Sequence, residues 1–161
     1  MILKTIYDYR VVFSLLDKSP NNPTDISKEW HPNTNYQTQV NYSKACKNLS
    51  KKGILRREPY KKIHYKYYLN KNKVYEIMTN FYCNDLKQSP TYKNPTDKDK
   101  QVFKRLLKNK LFIRYIKDRL KILGIVEEIP SLPYWFLEQN EDSNEKSIVD
   151  FKKLIDRLSI N

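Results

Sequence analysis

The chain reads as mainly α-helical with one small antiparallel β-hairpin, followed by a long helix and a helical appendage. Three observations predict this. Apolar residues recur at spacings of three and four through most of the 161 residues. The period switches to an extended pattern once, directly after Gly53. Only two glycines occur, Gly53 and Gly124, and each closes a helical stretch.

Ile2, Leu3, Ile6, Tyr9, Val12, Phe13 and Leu16 form the stripe of a first amphipathic helix, ending near Ser19 and Pro20. Thr24 or Asp25 can cap a short second helix containing Ile26 and Trp30, stopped by Pro32. A polar connection from His31 to Tyr36 leads to a third helix. In it Tyr42, Ala45, Cys46 and Leu49 share one face. Residues 54–58 and 63–69 then form two strands around the basic tip Tyr60-Lys61-Lys62, and Pro59 suits an edge hairpin. Asn70 or Asn72 can cap a fourth helix with Val74, Ile77, Met78 and Phe81 on its apolar side.

Two prolines among polar residues make 87–96 the best linker, so the expected organisation is a domain over 1–86, a linker over 87–96 and a helical accessory region over 97–161. Thr96 and Asp99 have capping-box spacing and open a helix expected to run unbroken to Leu123, about 40 Å at 1.5 Å per residue. Along it Val102, Leu106, Asn109, Ile113, Ile116, Leu120 and Leu123 keep heptad spacing, the seam of a coiled-coil dimer. Asn109 is either the polar residue that sets its register or a residue left exposed by another packing. Phe103, Leu107, Leu111, Phe112 and Tyr115 add a second apolar stripe. Pro130 and Pro133 forbid a long helix after Gly124, and an extended apolar strap is expected there, followed by an acidic loop and a last helix with Ile148, Phe151, Leu154, Ile155 and Leu158 inward.

Charge narrows the function classes. The net charge is +13 and the pI about 9.6, with 39% hydrophobic residues, enough for a real core despite a mean hydropathy of −0.80. A/T-rich codons favour Lys and Asn, so the distribution matters more than the total. Residues 1–96 carry 17 Lys and Arg against 7 Asp and Glu, residues 97–123 carry 10 against 3, and residues 124–161 carry 4 against 8. Positive charge is therefore concentrated, which suits a polyanion.

Cys46 and Cys83 make no disulfide framework, and with His31 and His64 they offer no zinc spacing, so no cofactor or metal is expected. Cys46 reads as a small buried hydrophobe rather than a redox sensor, and His64 as a strand-surface residue rather than a switch. No Gly-rich phosphate loop is available, and Asp97, Asp99 and Glu145 are not spaced as a metal-binding set, so an enzyme is not expected. No apolar run spans a membrane and no signal peptide is recognisable, which points to a cytoplasmic protein.

The order of helix two, turn, helix three, Leu49-Ser-Lys-Lys-Gly-Ile-Leu-Arg-Arg and a basic hairpin resembles a winged helix-turn-helix domain over residues 1–82. The step from Leu49 through Gly53 to Arg57 is similar to that of MarR-like prokaryotic and archaeal transcription regulators. The resemblance implies double-stranded DNA as partner, a homodimer, and helix three as the reader of the major groove. Base-reading candidates are Thr38, Gln39, Asn41, Ser43 and Lys44. Phosphate and wing candidates are Lys47, Asn48, Lys51, Lys52, Arg56, Arg57, Tyr60, Lys61, Lys62 and Lys66, with Tyr65 and Tyr67 expected in the core. The expected activity is sequence-specific transcription regulation by promoter occupancy. A replication or partition protein of plasmid or virus, and a protein-interaction module for an acidic partner, stay open as alternatives.

Overall fold

The computed structural model describes residues 3–18, 21–62 and 64–160. Ile2, Ser19, Pro20 and Ile63 of the expected elements lie outside the described residues. The protein is mainly helical with a small two-stranded antiparallel sheet, and it divides into two compact units. Unit 1 comprises Met1–Val74 and Ile116–Val126, and unit 2 comprises Tyr75–Tyr115 and Glu127–Asn161. The division differs from the expected boundaries at 86 and 97, because chain continuity does not decide which side chains share a core. Among the described residues no helix is long and apolar enough to cross a membrane.

Unit 1 starts with α1 (Ile6–Asp17), opened by a capping box in which the Asp8 amide donates to Thr5 Oγ1 at 3.2 Å and the Thr5 amide to Asp8 Oδ2 at 3.1 Å. Its Tyr9, Val11, Val12, Phe13 and Leu15 are completely buried. The short α2 (Pro23–Trp30) is capped by Asn22 rather than by Thr24 or Asp25, with Pro23 at its first position. Proline lacks only an N–H that no helix start would use. Trp30 reaches back to donate to Ser14 Oγ at 2.7 Å. Then α3 (Tyr36–Lys51) packs Tyr42, Ala45, Cys46 and Leu49 inward as expected.

Gly53 ends α3 in the left-handed region at φ 74°, and a Cβ there would meet Lys73 Nζ at 3.0 Å. That ammonium group donates to the Lys52 carbonyl at 2.8 Å, serving the helix end where cations are favoured. The hairpin of β1 (Leu55–Tyr60) and β2 (His64–Leu69) follows, pairing Leu55 with Leu69 and Tyr60 with His64. Asn21 pairs across β2 with Tyr67 through two backbone hydrogen bonds, which ties the chain before α2 to the hairpin. Next, α4 (Lys71–Gln88) begins in this unit, with Asn70 capping the Lys73 amide.

The helix expected over 97–123 is two helices. The first, α5 (Asp97–Leu107), has the Thr96–Asp99 capping box; the second, α6 (Lys110–Ile122), starts after a break at Lys108 and Asn109. Asn109 is neither a seam residue nor exposed: its Oδ1 accepts from the Phe112 amide at 3.0 Å and its Nδ2 donates to Ser147 Oγ at 2.8 Å and to Glu145. Asparagine at a helix start satisfies orphan amides, which outweighs its place in a heptad. Of the seam residues, Leu106 and Ile113 belong to unit 2 and Ile116, Leu120 and Leu123 to unit 1; all five are buried, while Val102 is half-buried. No continuous seam exists for a coiled coil.

In unit 2, α5 packs against α8 (Lys146–Leu158), with Phe103 between Tyr82 at 6.2 Å and Phe151 at 5.2 Å. Buried Asp99 is also ion-paired with Arg157. The expected extended strap is instead a 3₁₀ turn (Val126–Ser131) leading into α7 (Leu132–Gln139). Pro133 stands in the first turn of α7, where a helix tolerates it. The expected linker is tied down as well. Lys93 donates its amide to the Leu158 carbonyl at 2.7 Å, and Ile160 its amide to that of Thr91 at 3.0 Å.

Candidate nucleic-acid interface

The candidate surface is built on α3 and the hairpin, both in unit 1. At 100° per residue, the side opposite Tyr42, Ala45, Cys46 and Leu49 carries Tyr36, Val40, Lys44, Lys47 and Lys51, flanked by Ser43 and Asn48. The inner side holds the helix down. Burial pushes the Cys46 thiol up to about 12, which leaves it an unreactive packing group, in line with the sequence reading. Burial likewise raises Tyr42 to about 12, against the pull of Arg10, whose Nη1 donates to its hydroxyl at 3.3 Å.

The hairpin lays out its cations over aromatic rings. Arg56 lies over Tyr68 at 4.6 Å, Arg57 over Tyr65 at 4.5 Å, and Tyr60 has Lys66 at 4.2 Å and Lys61 at 5.2 Å. Cross-strand register explains these contacts: Arg56 is paired with Tyr68 and Glu58 with Lys66, so each cation and its ring share a face. A cation over a π-face is held in place yet keeps donors for another ligand. Lys61 turns the tip with φ 51°, and Lys61 and Lys62 are exposed there. The carboxylate of Glu58 accepts a hydrogen bond from Arg56 and is held below its ordinary range by it.

Between α3 and β2 runs an open groove of about 510 Å³. Its floor and walls are Tyr36, Gln39, Val40, Ser43, Lys44 and Lys47 from α3, His64, Tyr65 and Tyr67 from β2, and Asn22, Pro23 and Thr24 at the start of α2. From Tyr36 to Lys73 the chain carries eleven Lys and Arg and a single acid, Glu58. Potential of one sign along a cleft concentrates the opposite charge in it.

Among the base-reading candidates, Gln39, Ser43 and Lys44 line the groove. Thr38 does not belong with them, because it stands one helical turn before Tyr42, on the core side. Asn41 lies on the far flank and is engaged: its Nδ2 donates to Tyr7 Oη at 3.3 Å and its Oδ1 accepts from Gln37. Of the phosphate candidates, Lys47, Asn48, Lys51, Lys52, Arg56, Arg57, Lys61 and Lys62 are exposed, whereas Tyr60 and Lys66 are half-buried against each other.

Tyr67 is core, only 2% exposed, and its burial raises its pKa. Tyr65, expected beside it in the core, is half-buried and lines the groove. His64 is exposed at the strand surface, as the sequence indicated. Sequence reasoning missed Tyr36, Val40 and the Asn22–Thr24 wall. Counting 100° steps outward from Leu49 would have found the first two. The wall depends on the Asn21–Tyr67 pairing, which leaves no local pattern.

No protein-family model, no curated protein and no solved structure matches the chain.

Proposed function

We propose that unit 1 is a winged helix-turn-helix that binds double-stranded DNA sequence-specifically, with α3 entering the major groove and the β1–β2 hairpin as its wing. The biological role that fits is a transcription regulator acting by promoter occupancy. The observation that carries the reading is the exposed side of α3. It carries exposed Lys44, Lys47, Asn48 and Lys51 beside Tyr36 and Val40, and a cationic hairpin flanks it across an open groove. B-DNA's major groove is about 12 Å wide and admits one α-helix. Gln39, Ser43 and Lys44 then face base edges, while Lys47, Lys51, Arg56 and Arg57 meet phosphates and set the register. One such helix reads only a few base pairs, and two copies on half-sites a helical turn apart would double the site.

The test is selection of duplexes from a random pool, followed by affinity measurement across salt. Expected are an enriched motif and a log–log slope falling by about 0.9 for each neutralised phosphate. For Lys61→Gln with Lys62→Gln the slope drops by about 2, and all sequences weaken alike. Binding to no duplex, or binding indifferent to salt, rejects the proposal. Recovery of an acidic protein partner without any enriched DNA would favour the interaction module.

A further inference from the structure

We propose that Val40 and Tyr36 read thymine methyl groups, so that the DNA taken by α3 carries A·T pairs beneath the helix's first two turns. The inference rests on the reading of α3 as the groove-entering helix. On a face otherwise made of Lys, Ser and Gln, two side chains are apolar without serving the core. Tyr36, the first residue of α3, is 82% exposed. Val40 lies one turn on, half-buried, at the crest opposite Tyr42 and Leu49, and lines the groove. A β-branched residue lowers helix propensity, and the part of the Val40 side chain that its neighbours leave open faces the groove.

The chemistry that suits such a pair in a major groove is the C5-methyl of thymine, the one apolar group that groove displays. Four residues of α-helix rise about 6 Å. Stacked base pairs are about 3.4 Å apart, so the two side chains address pairs one or two steps from each other. Gln39, beside Val40 on the groove side, supplies the complementary amide for adenine N6 and N7, so neighbouring residues address both strands of an A·T-containing step. No Asp or Glu occurs in α3, which leaves it without the acceptor that cytosine N4 would need.

Uracil in place of thymine removes the methyl and leaves every hydrogen-bonding group intact. The experiment takes a duplex enriched by selection on the full chain, replaces each thymine by uracil in turn, and measures affinity by fluorescence anisotropy. Two positions one or two steps apart should each lose roughly fourfold, the effect of exposing one buried carbon-sized group. Val40→Ala should bind the thymine duplex as weakly as the wild type binds the uracil duplex at one of them, with no further loss on uracil. Tyr36→Ala should do the same at the other, giving a coupled cycle at each position. Val40→Thr keeps the shape and serves as a second variant, with circular dichroism checking that each variant folds. Tight, salt-dependent binding with equal affinity for thymine and uracil overturns this inference and leaves the DNA reading standing. Uracil sensitivity that survives unchanged in Val40→Ala overturns the assignment of Val40, whereas Val40→Thr, which keeps one γ-methyl, should retain part of it. Binding to no duplex overturns the DNA reading, and this inference with it.

Discussion

Arg10 is a buried cation held by backbone carbonyls, a hydroxyl and aromatic rings, and replacing it measures how unit 1 is held together. It is 8% exposed. Nε donates to the Leu120 carbonyl at 3.1 Å, Nη2 to the Leu123 carbonyl at 3.5 Å and Nη1 to Tyr42 Oη at 3.3 Å, with His31 Nε2 at 3.4 Å. The rings of Trp30 and Tyr7 lie 5.7 and 6.0 Å from the guanidinium carbon. The carbonyls sit at the C-terminal end of α6, where the helix dipole is negative, so the backbone supplies the counter-charge. In Arg10→Met the short Nε bond is lost, worth about 1.5–3 kcal/mol as a charged-donor bond, and two carbonyls are left without this donor. The desolvation cost of the guanidinium disappears as well, which offsets part of the loss. The net expectation is a destabilisation of about 1.5–3 kcal/mol. Urea unfolding followed by Trp30 fluorescence in a Trp135→Phe background reads this unit, and the midpoint should fall by about 1 M. Arg10→Lys keeps the charge without the planar fork and should recover less than half of the loss. A midpoint for Arg10→Met at or above that of the parent would refute the account.

Three further outcomes are expected. Burial first, and then Arg10, holds His31 below its ordinary 6.5, so the unfolded chain takes up a proton at higher pH than the folded one. Stability should therefore be complete above about pH 6.5 and decline as pH falls below it, a slope that His31→Gln removes in urea midpoints measured from pH 8 to 5. Asp99→Asn breaks a buried cap and the Arg157 pair, and should lower unit 2 stability by about 1–3 kcal/mol in chemical denaturation; a change below about 0.5 kcal/mol counts against the cap. Asn109→Leu separates a helix start from a coiled-coil seam. It should destabilise by about 1 kcal/mol without changing the sedimentation coefficient, whereas a stabilised dimer would reinstate the seam.

Local pattern made much of unit 1 legible. The inner face of α3, its glycine stop and the alternation of the hairpin are each decided within a few residues. Reading failed where one residue type serves two ends. Asn109 fits a heptad and also starts a helix, and two successive helices of period 3.6 can imitate one unbroken 3.5 repeat over three heptads. Pro133 reads as a breaker, yet proline is equally a helix opener, and here it stands in the first turn of α7. Thr38 precedes the inward set of Tyr42, Ala45, Cys46 and Leu49 and reads as outward beside them, although four residues before Tyr42 it falls on the core side of the helix. The groove wall at Asn22–Thr24 and the acceptors of Arg10 at Leu120 and Leu123 depend on contacts across long stretches of chain, for which a single sequence has no local sign.

The return of residues 116–126 to the first unit changes how the protein can be dissected. A fragment cut at the proline-flanked segment would keep every groove-lining side chain, yet it would lack Ile116, Leu120 and Leu123 from its interior and the acceptors of Arg10. Lys117, which bridges Asp17 and Glu29, would go with them. Unit 1 is thus an interrupted domain, with most of its companion inserted into it. Moving the surface of α3 and the hairpin elsewhere means grafting it onto an intact scaffold, since an N-terminal fragment would carry that surface without its foundation.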